Sequence, residues 1–159
     1  MERKAFETDK PSRTVLFLCY GNACRSIMAE ALARHFRGNG MGFRSAGLAP
    51  LGSIPPLTLE VLNEAGIPTD GLYSKGLYDV RLDDIDYLVN LTGLEVDRLI
   101  PPSFSGTLVS YHVPDPFGRD IQAYREAREE LGRLVREKLP EIIAAVSHDP
   151  PGTRNHDKA

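Results

Sequence analysis

Short continuous apolar runs alternate along this chain with stretches of helical spacing. "TVLFL" (Thr14 to Leu18), ended by Cys19, reads as a strand buried on both faces. A polar loop follows. Met28, Leu32, His35 and Phe36 then recur at i, i+4, i+7 and i+8, one face of a helix that begins near Arg25 and stops near Gly38 and Gly40. "GFRSAG" (Gly42 to Gly47) predicts a second strand. Pro55 and Pro56 introduce a short helix, Leu57 to Ala65, that Gly66 ends. "IDYLVNL" (Ile85 to Leu91) and "GTLVSYHV" (Gly106 to Val113) predict a third and a fourth strand. The last long helix starts near Asp120 and buries Tyr124, Ala127, Leu131, Leu134 and Val135, with a break or kink expected at Pro140.

Strands alternating with helices predict an α/β fold: one domain, three layers, a four-stranded parallel sheet with right-handed crossovers and helices on both faces. The 159 residues suit a single domain with one sizeable core, placed at residues 14–147, with 1–13 and 148–159 expected as disordered tails. Ligands of such sheets bind beyond the carboxyl ends of the strands. Cys19 ends the first strand and Asp115 lies just past the fourth, so the two are expected to share one site.

Charge and composition remove several function classes. A net charge of -3 implies no basic surface for nucleic acid. No apolar run reaches the roughly 20 residues that span a bilayer, and the N-terminal stretch lacks the apolar core of a signal peptide. The expectation is a cytoplasmic protein without membrane or nucleic-acid partners. The two cysteines, Cys19 and Cys24, make no CxxC pair and no Cys/His cluster, so neither a metal nor another cofactor is expected.

Both cysteines fall in one loop, "CYGNACRS". A strand, a tight turn at Gly21 and a helix opening near Arg25 together make an anion cradle. Successive N–H groups turn inward, and the helix N-terminus adds positive potential. Gly21 permits the backbone angles of such a turn. The Arg25 fork matches two phosphoryl oxygens. A positive field of this kind favours the anionic form of a sulfur at its edge, which makes Cys19 a candidate nucleophile. The ending GK[ST] of a Walker loop is absent. A bland alternative makes Cys19 a small core residue and Asp115 a turn former. His35 is expected in the core, His112 without a role, and Tyr73, Tyr78 and Tyr111 as packing residues.

"VLFLCYGNACRSIMAEAL" resembles the signature of the low-molecular-weight protein tyrosine phosphatases, C-x-G-N-x-C-R-S followed by P-M-A-E. The match runs through Cys19, Gly21, Asn22, Cys24, Arg25, Ser26, Met28, Ala29 and Glu30, and continues in "SAG" (Ser45 to Gly47) and "PDPF" (Pro114 to Phe117). The resemblance implies a phosphate-binding loop after the first strand and hydrolysis of phosphotyrosine or aryl phosphate monoesters through a cysteinyl-phosphate. Cys19 would be the nucleophile, Arg25 the phosphoryl ligand and Asp115 the general acid. Asn22 would hold the loop through side-chain hydrogen bonds, and Ser26 would donate one to the sulfur. Tyr20, Gly21, Ala23 and Cys24 complete the expected substrate-binding loop, with Leu51 and Phe117 as cleft walls. Cys24 is either a loop-packing residue or a thiol that traps oxidised Cys19.

The chain departs from the family pattern in three places. Ile27 replaces the usual proline, Leu51 stands where Trp or Tyr is frequent, and Phe117 stands where Tyr is frequent. The same fold serves arsenate reductases, and "SKGL" together with "VPDPFGRDIQAYREAREEL" resembles that branch. "NLTGLEVDRLIPP", after the third strand, carries none of the relay cysteines of thioredoxin-coupled reductases. The expected partners are therefore a phosphorylated protein or small aryl phosphate or, on the alternative reading, arsenate plus an external small thiol. A non-catalytic phospho-ligand module is the third reading.

Overall fold

The structure, a computed structural model, describes residues 13–38 and 40–147. Four strands, β1 (Arg13–Cys19), β2 (Met41–Gly47), β3 (Tyr87–Asn90) and β4 (Thr107–Ser110), form one sheet in the order β2-β1-β3-β4, and every pairing is parallel. Arg13 is the first residue of β1, one position before the expected start of the domain at residue 14. The remainder of the expected tails lies outside the described residues. β1 is central, which explains its unbroken apolar sequence. Val15 and Phe17 enter the larger core, while Leu16 and Leu18 enter the smaller one on the opposite face. Each such burial contributes about 1.5–3 kcal/mol. The chain leaves β1 toward β2 on one side and returns to β3 on the other. The switch in direction opens a crevice at the carboxyl end of β1, where Cys19 sits.

Helices α1 (Arg25–Arg37), α2 (Pro56–Glu64) and α3 (Ile121–Arg133) cover the larger core. The second face is covered by segments carrying the 3-10 turns Leu77–Asp79 and Asp97–Leu99, through Leu77, Leu82, Ile85 and Val96. Helix ends follow their sequence signals. Gly66, at φ +75°, closes α2 with its N–H on Asn63 O and the Ile67 N–H on Leu62 O, the paired bonds of a Schellman stop. Asp120 caps α3 by accepting from the Ala123 N–H at 3.0 Å. Tyr124, Ala127 and Leu131 of α3, and Leu134 and Val135 just beyond it, are buried as expected. β3 and β4 are shorter than their apolar runs, although the Tyr111 and Val113 N–H groups still bond to Asn90 O and Leu91 O.

Pro140 does not break the chain's last helical stretch. A π turn, Leu134–Lys138, leads directly into α4 (Leu139–Ser147). The Leu139 N–H bonds five residues back to Leu134 O, which frees Val135 O, and proline withholds the N–H that Arg136 O would receive. Arg37 supplies both missing donors, Nε to Val135 O at 3.3 Å and Nη2 to Arg136 O at 3.1 Å. The last turn of α1 therefore serves this junction rather than the core. His35 is exposed, contrary to expectation, and lies edge-on to Phe36 with ring centroids 4.8 Å apart. Phe36 is itself exposed and carries the Arg136 guanidinium over its ring. Tyr73 and Tyr78 are also exposed rather than packed. Tyr111 is half-buried and donates to Glu130 Oε2 at 2.6 Å; burial, followed by that carboxylate, pushes its hydroxyl up to about 12.

Candidate active site

The segment between β1 and α1 is tied down through its carbonyls. Cys19 O, Tyr20 O and Gly21 O accept from the N–H groups of Leu48, Ala49 and Leu51, and Ala23 O accepts from Thr58 Oγ1 of α2 at 2.9 Å. In a trans peptide the N–H points opposite to the carbonyl of the preceding residue. The N–H groups of Tyr20, Gly21, Asn22 and Cys24 therefore face the other way, into the loop. Asn22 makes this curl possible with φ at +47°, a conformation that asparagine tolerates better than most residues.

Gly47, at the end of β2, lets the loop lie against the strand. A Cβ there would stand 2.7 Å from Asn22 N, 2.9 Å from Gly21 C and 2.9 Å from Tyr20 O, all backbone atoms that no rotamer change can move. We expect Gly47→Ala to destabilise the protein by about 1–3 kcal/mol in urea unfolding and to lower turnover. Unchanged stability and unchanged turnover would show that the loop tolerates displacement.

Cys19 is buried at the floor of the loop, with Ser26 Oγ 2.9 Å and the Ser26 N–H 3.4 Å from its sulfur. The direction of the first bond follows from its neighbours. The Lys75 N–H donates to Asn22 Oδ1 at 2.8 Å, which fixes the amide so that Nδ2 faces Ser26. Nδ2 can only donate, and it does so to Ser26 Oγ at 2.7 Å. Ser26 Oγ must then accept, and of the two acceptors within reach of its own hydrogen, the Cys19 sulfur at 2.9 Å and Ala46 O at 3.5 Å, the sulfur is much the nearer.

Arg25 opens α1 and is buried. Its Nη1 donates to Leu91 O at 3.1 Å and to Val113 O at 3.0 Å, so the carboxyl ends of β3 and β4 hold the guanidinium in place. Nε is buried and has no partner among the described residues, an uncompensated donor beside the loop. Nη2 lies 3.4 Å from Asp115 Oδ2. Asp115 is both a turn residue and a cleft residue. Oδ1 accepts from the Phe117 N–H at 3.1 Å, while the half-exposed side chain reaches Arg25 with the other oxygen.

Cys19, Arg25 and Asp115 thus line one cleft of about 200 Å³, together with Tyr20, Gly21, Ala23, Cys24, Leu51 and Phe117. Tyr20, Leu51 and Phe117 are about half exposed and form its apolar rim. Asn22 and Ser26, expected as substrate-binding residues, have fully buried side chains behind the loop and do not line the cleft. They act on it through hydrogen bonds. Cys24 is buried, and its thiol donates to Tyr124 Oη at 3.6 Å. Burial pushes the thiol up, and the Tyr124 hydroxyl is likewise raised, first by burial and then by Cys24.

Sequence reasoning missed the layer behind Asn22. Glu30, Ser45 and Lys75 meet there, from α1, β2 and the segment after α2. All three stand in runs that the sequence flagged, "MAE", "SAG" and "SKGL", but nothing in spacing or periodicity brings those runs together. No group of three or more metal-ligating side chains occurs among the described residues, and no helix among them is long and apolar enough to cross a membrane.

Comparison with known proteins agrees with this architecture. A protein-arginine-phosphatase of Bacillus subtilis is 32% identical over 145 residues, covering 80% of this chain and 95% of that protein. A glutaredoxin arsenate reductase of Synechocystis is 28% identical over 137 residues, covering 85% and 99%. The solved arginine phosphatase of Geobacillus stearothermophilus superposes with a TM-score of 0.69 at 25% identity, covering 87% of this chain and 98% of that one. Residues 14–149 match the profile of the low molecular weight phosphotyrosine protein phosphatases, and the chain belongs to that family.

Proposed function

We propose that the protein is a phosphatase that hydrolyses phosphotyrosine or aryl phosphate monoesters through a cysteinyl-phosphate. The phosphoryl group enters the loop, and its oxygens take the inward N–H groups together with Arg25 Nε and Nη2. Cys19 Sγ attacks phosphorus in line with the ester oxygen. The P–O bond breaks while Asp115, protonated, passes its proton to the leaving oxygen. Asp115, now a carboxylate, then takes a proton from the water that attacks phosphorus and breaks the P–S bond. Inorganic phosphate leaves and Cys19 is regenerated. The donors that stabilise the transition state are fixed before substrate arrives, which is where most of the catalytic effect resides.

The observation that carries this reading is Asp115. Its half-exposed carboxylate lines the cleft beside Arg25, in the same lining as the apolar Leu51 and Phe117. An acid in that position serves an ester with an organic leaving group. A second reading, arsenate reduction, is favoured by the reductase of Synechocystis, which matches this chain over 99% of its length. On that reading the resolving thiol comes from outside, because Cys24, the chain's second cysteine, is buried and bonded to Tyr124. Parallel kinetics on p-nitrophenyl phosphate, phosphotyrosine, and arsenate with glutathione, glutaredoxin or thioredoxin separate the two. We expect aryl phosphate hydrolysis with modest affinity. Thiol-dependent arsenate reduction far exceeding it would overturn the phosphatase assignment, and turnover of neither would leave a binding module.

A further inference from the structure

The catalytic loop rests on a nearly enclosed charge that the reaction itself does not use. Lys75 Nζ, nearly enclosed, donates to Tyr73 O at 2.9 Å, to Ser45 Oγ at 3.2 Å and to Asn22 Oδ1 at 3.4 Å, with Glu30 Oε1 as its counter-ion at 3.8 Å. The three hydrogens of the ammonium are thereby matched to three acceptors. Glu30, also buried, accepts from Ser45 Oγ at 2.5 Å and is paired with Arg34 one turn along α1. Burial pushes the Lys75 ammonium down while Glu30 supports it. An ammonium so desolvated is costly to retain unless it does something beyond filling space.

Resting on the phosphatase reading, we propose that Lys75 is a positioning residue whose ammonium orders the nucleophile through the relay Lys75–Asn22–Ser26–Cys19. Lys75 places two donors, its N–H and its Nζ, on the same oxygen of Asn22. The positive charge on that oxygen polarises the amide, so that Nδ2 becomes a stronger donor to Ser26 Oγ. Ser26 in turn directs its hydrogen at Cys19 Sγ. Hydrogen bonds aligned head to tail strengthen one another in a low-dielectric interior. The same contact helps hold Asn22 at its positive φ, and hence the inward N–H groups. Lys75 does not line the cleft, so its effect falls on the reactivity of the sulfur more than on affinity for the oxyanion.

Lys75→Met keeps the aliphatic stem and the backbone N–H and removes only the ammonium. Lys75→Met combined with Glu30→Gln also removes the carboxylate left behind. For both variants the measurements are kcat and KM on p-nitrophenyl phosphate, inhibition by inorganic phosphate, melting temperature, and the rate at which neutral iodoacetamide alkylates Cys19, located by mass spectrometry. We expect kcat and the alkylation rate to fall together by roughly 10–100-fold in both variants, with the phosphate inhibition constant within about threefold of the parent. Recovery of kcat in the double variant would assign the deficit to the Glu30 carboxylate left without Lys75 and overturn the proposal. A fall in kcat with alkylation unchanged would overturn it too. The alkylation readout needs no turnover, so it still decides the role of Lys75 if the parent does not hydrolyse aryl phosphates and the phosphatase reading fails.

Discussion

Cys19→Ser is expected to abolish turnover while leaving oxyanion binding intact. A hydroxyl at that position is a far weaker nucleophile than sulfur, and the contacts it would inherit, Ser26 Oγ at 2.9 Å and the Ser26 N–H at 3.4 Å, include no strong base. The loss should be on the order of 10⁴-fold or more, the scale seen when a covalent nucleophile is removed. The carbonyl anchors to Leu48, Ala49 and Leu51 do not involve the side chain, and Arg25 is held by Leu91 O and Val113 O. The cradle therefore survives, and vanadate or phosphate should bind within a few-fold of the parent by calorimetry. In the parent, iodoacetate should modify Cys19 ahead of Cys24, and phosphate should protect it. Appreciable turnover by Cys19→Ser would reject the covalent mechanism for either substrate.

What the chain discloses before folding is uneven, for physical reasons. β1 is legible because a strand with sheet on both sides must be apolar at every position, and "TVLFL" is nearly so. The cradle is legible because its chemistry is local. Cys19, Gly21, Asn22 and Arg25 lie within seven residues, and the turn, the helix start and the anion ligand are consequences of one short stretch. Asp115 is legible through the resemblance of "PDPF" and through topology: the carboxyl ends of parallel strands lie side by side, so the ends of β1 and β4 approach one site.

Other features depend on contacts that no local pattern encodes. Lys75 lies 53 positions from Asn22, in a segment with neither helical nor strand periodicity, and its role exists only once β2, α1 and the loop are packed. His35 keeps the correct helical phase for the core, yet α1 has already outrun its buried stretch at Ala33. Pro140 is a breaker by intrinsic preference. It is accommodated because Arg37, about a hundred residues earlier, supplies donors to the freed carbonyls. Helical phase says which way a side chain points, not whether anything lies there to cover it.

Asp115→Asn isolates proton transfer unusually well at this site. The Phe117 N–H can still bond to the amide oxygen, so the turn after Pro114 keeps its geometry. The ionic contact with Arg25 Nη2 is lost, but Arg25 is held from its other side by two carbonyls and does not need it. The amide cannot deliver a proton to the leaving oxygen. A positioned general acid contributes roughly 10²–10⁴ in rate, and that is the expected fall in kcat with phenyl or tyrosyl phosphate. The deficit should shrink as the leaving group becomes more acidic, because a phenoxide that departs unaided asks less of the acid. A series of substituted phenyl phosphates should therefore give a steeper dependence of log kcat on leaving-group pKa in the variant than in the parent. Equal slopes would reduce Asp115 to a turn residue that lies beside Arg25, and the acid would have to be sought elsewhere on the rim.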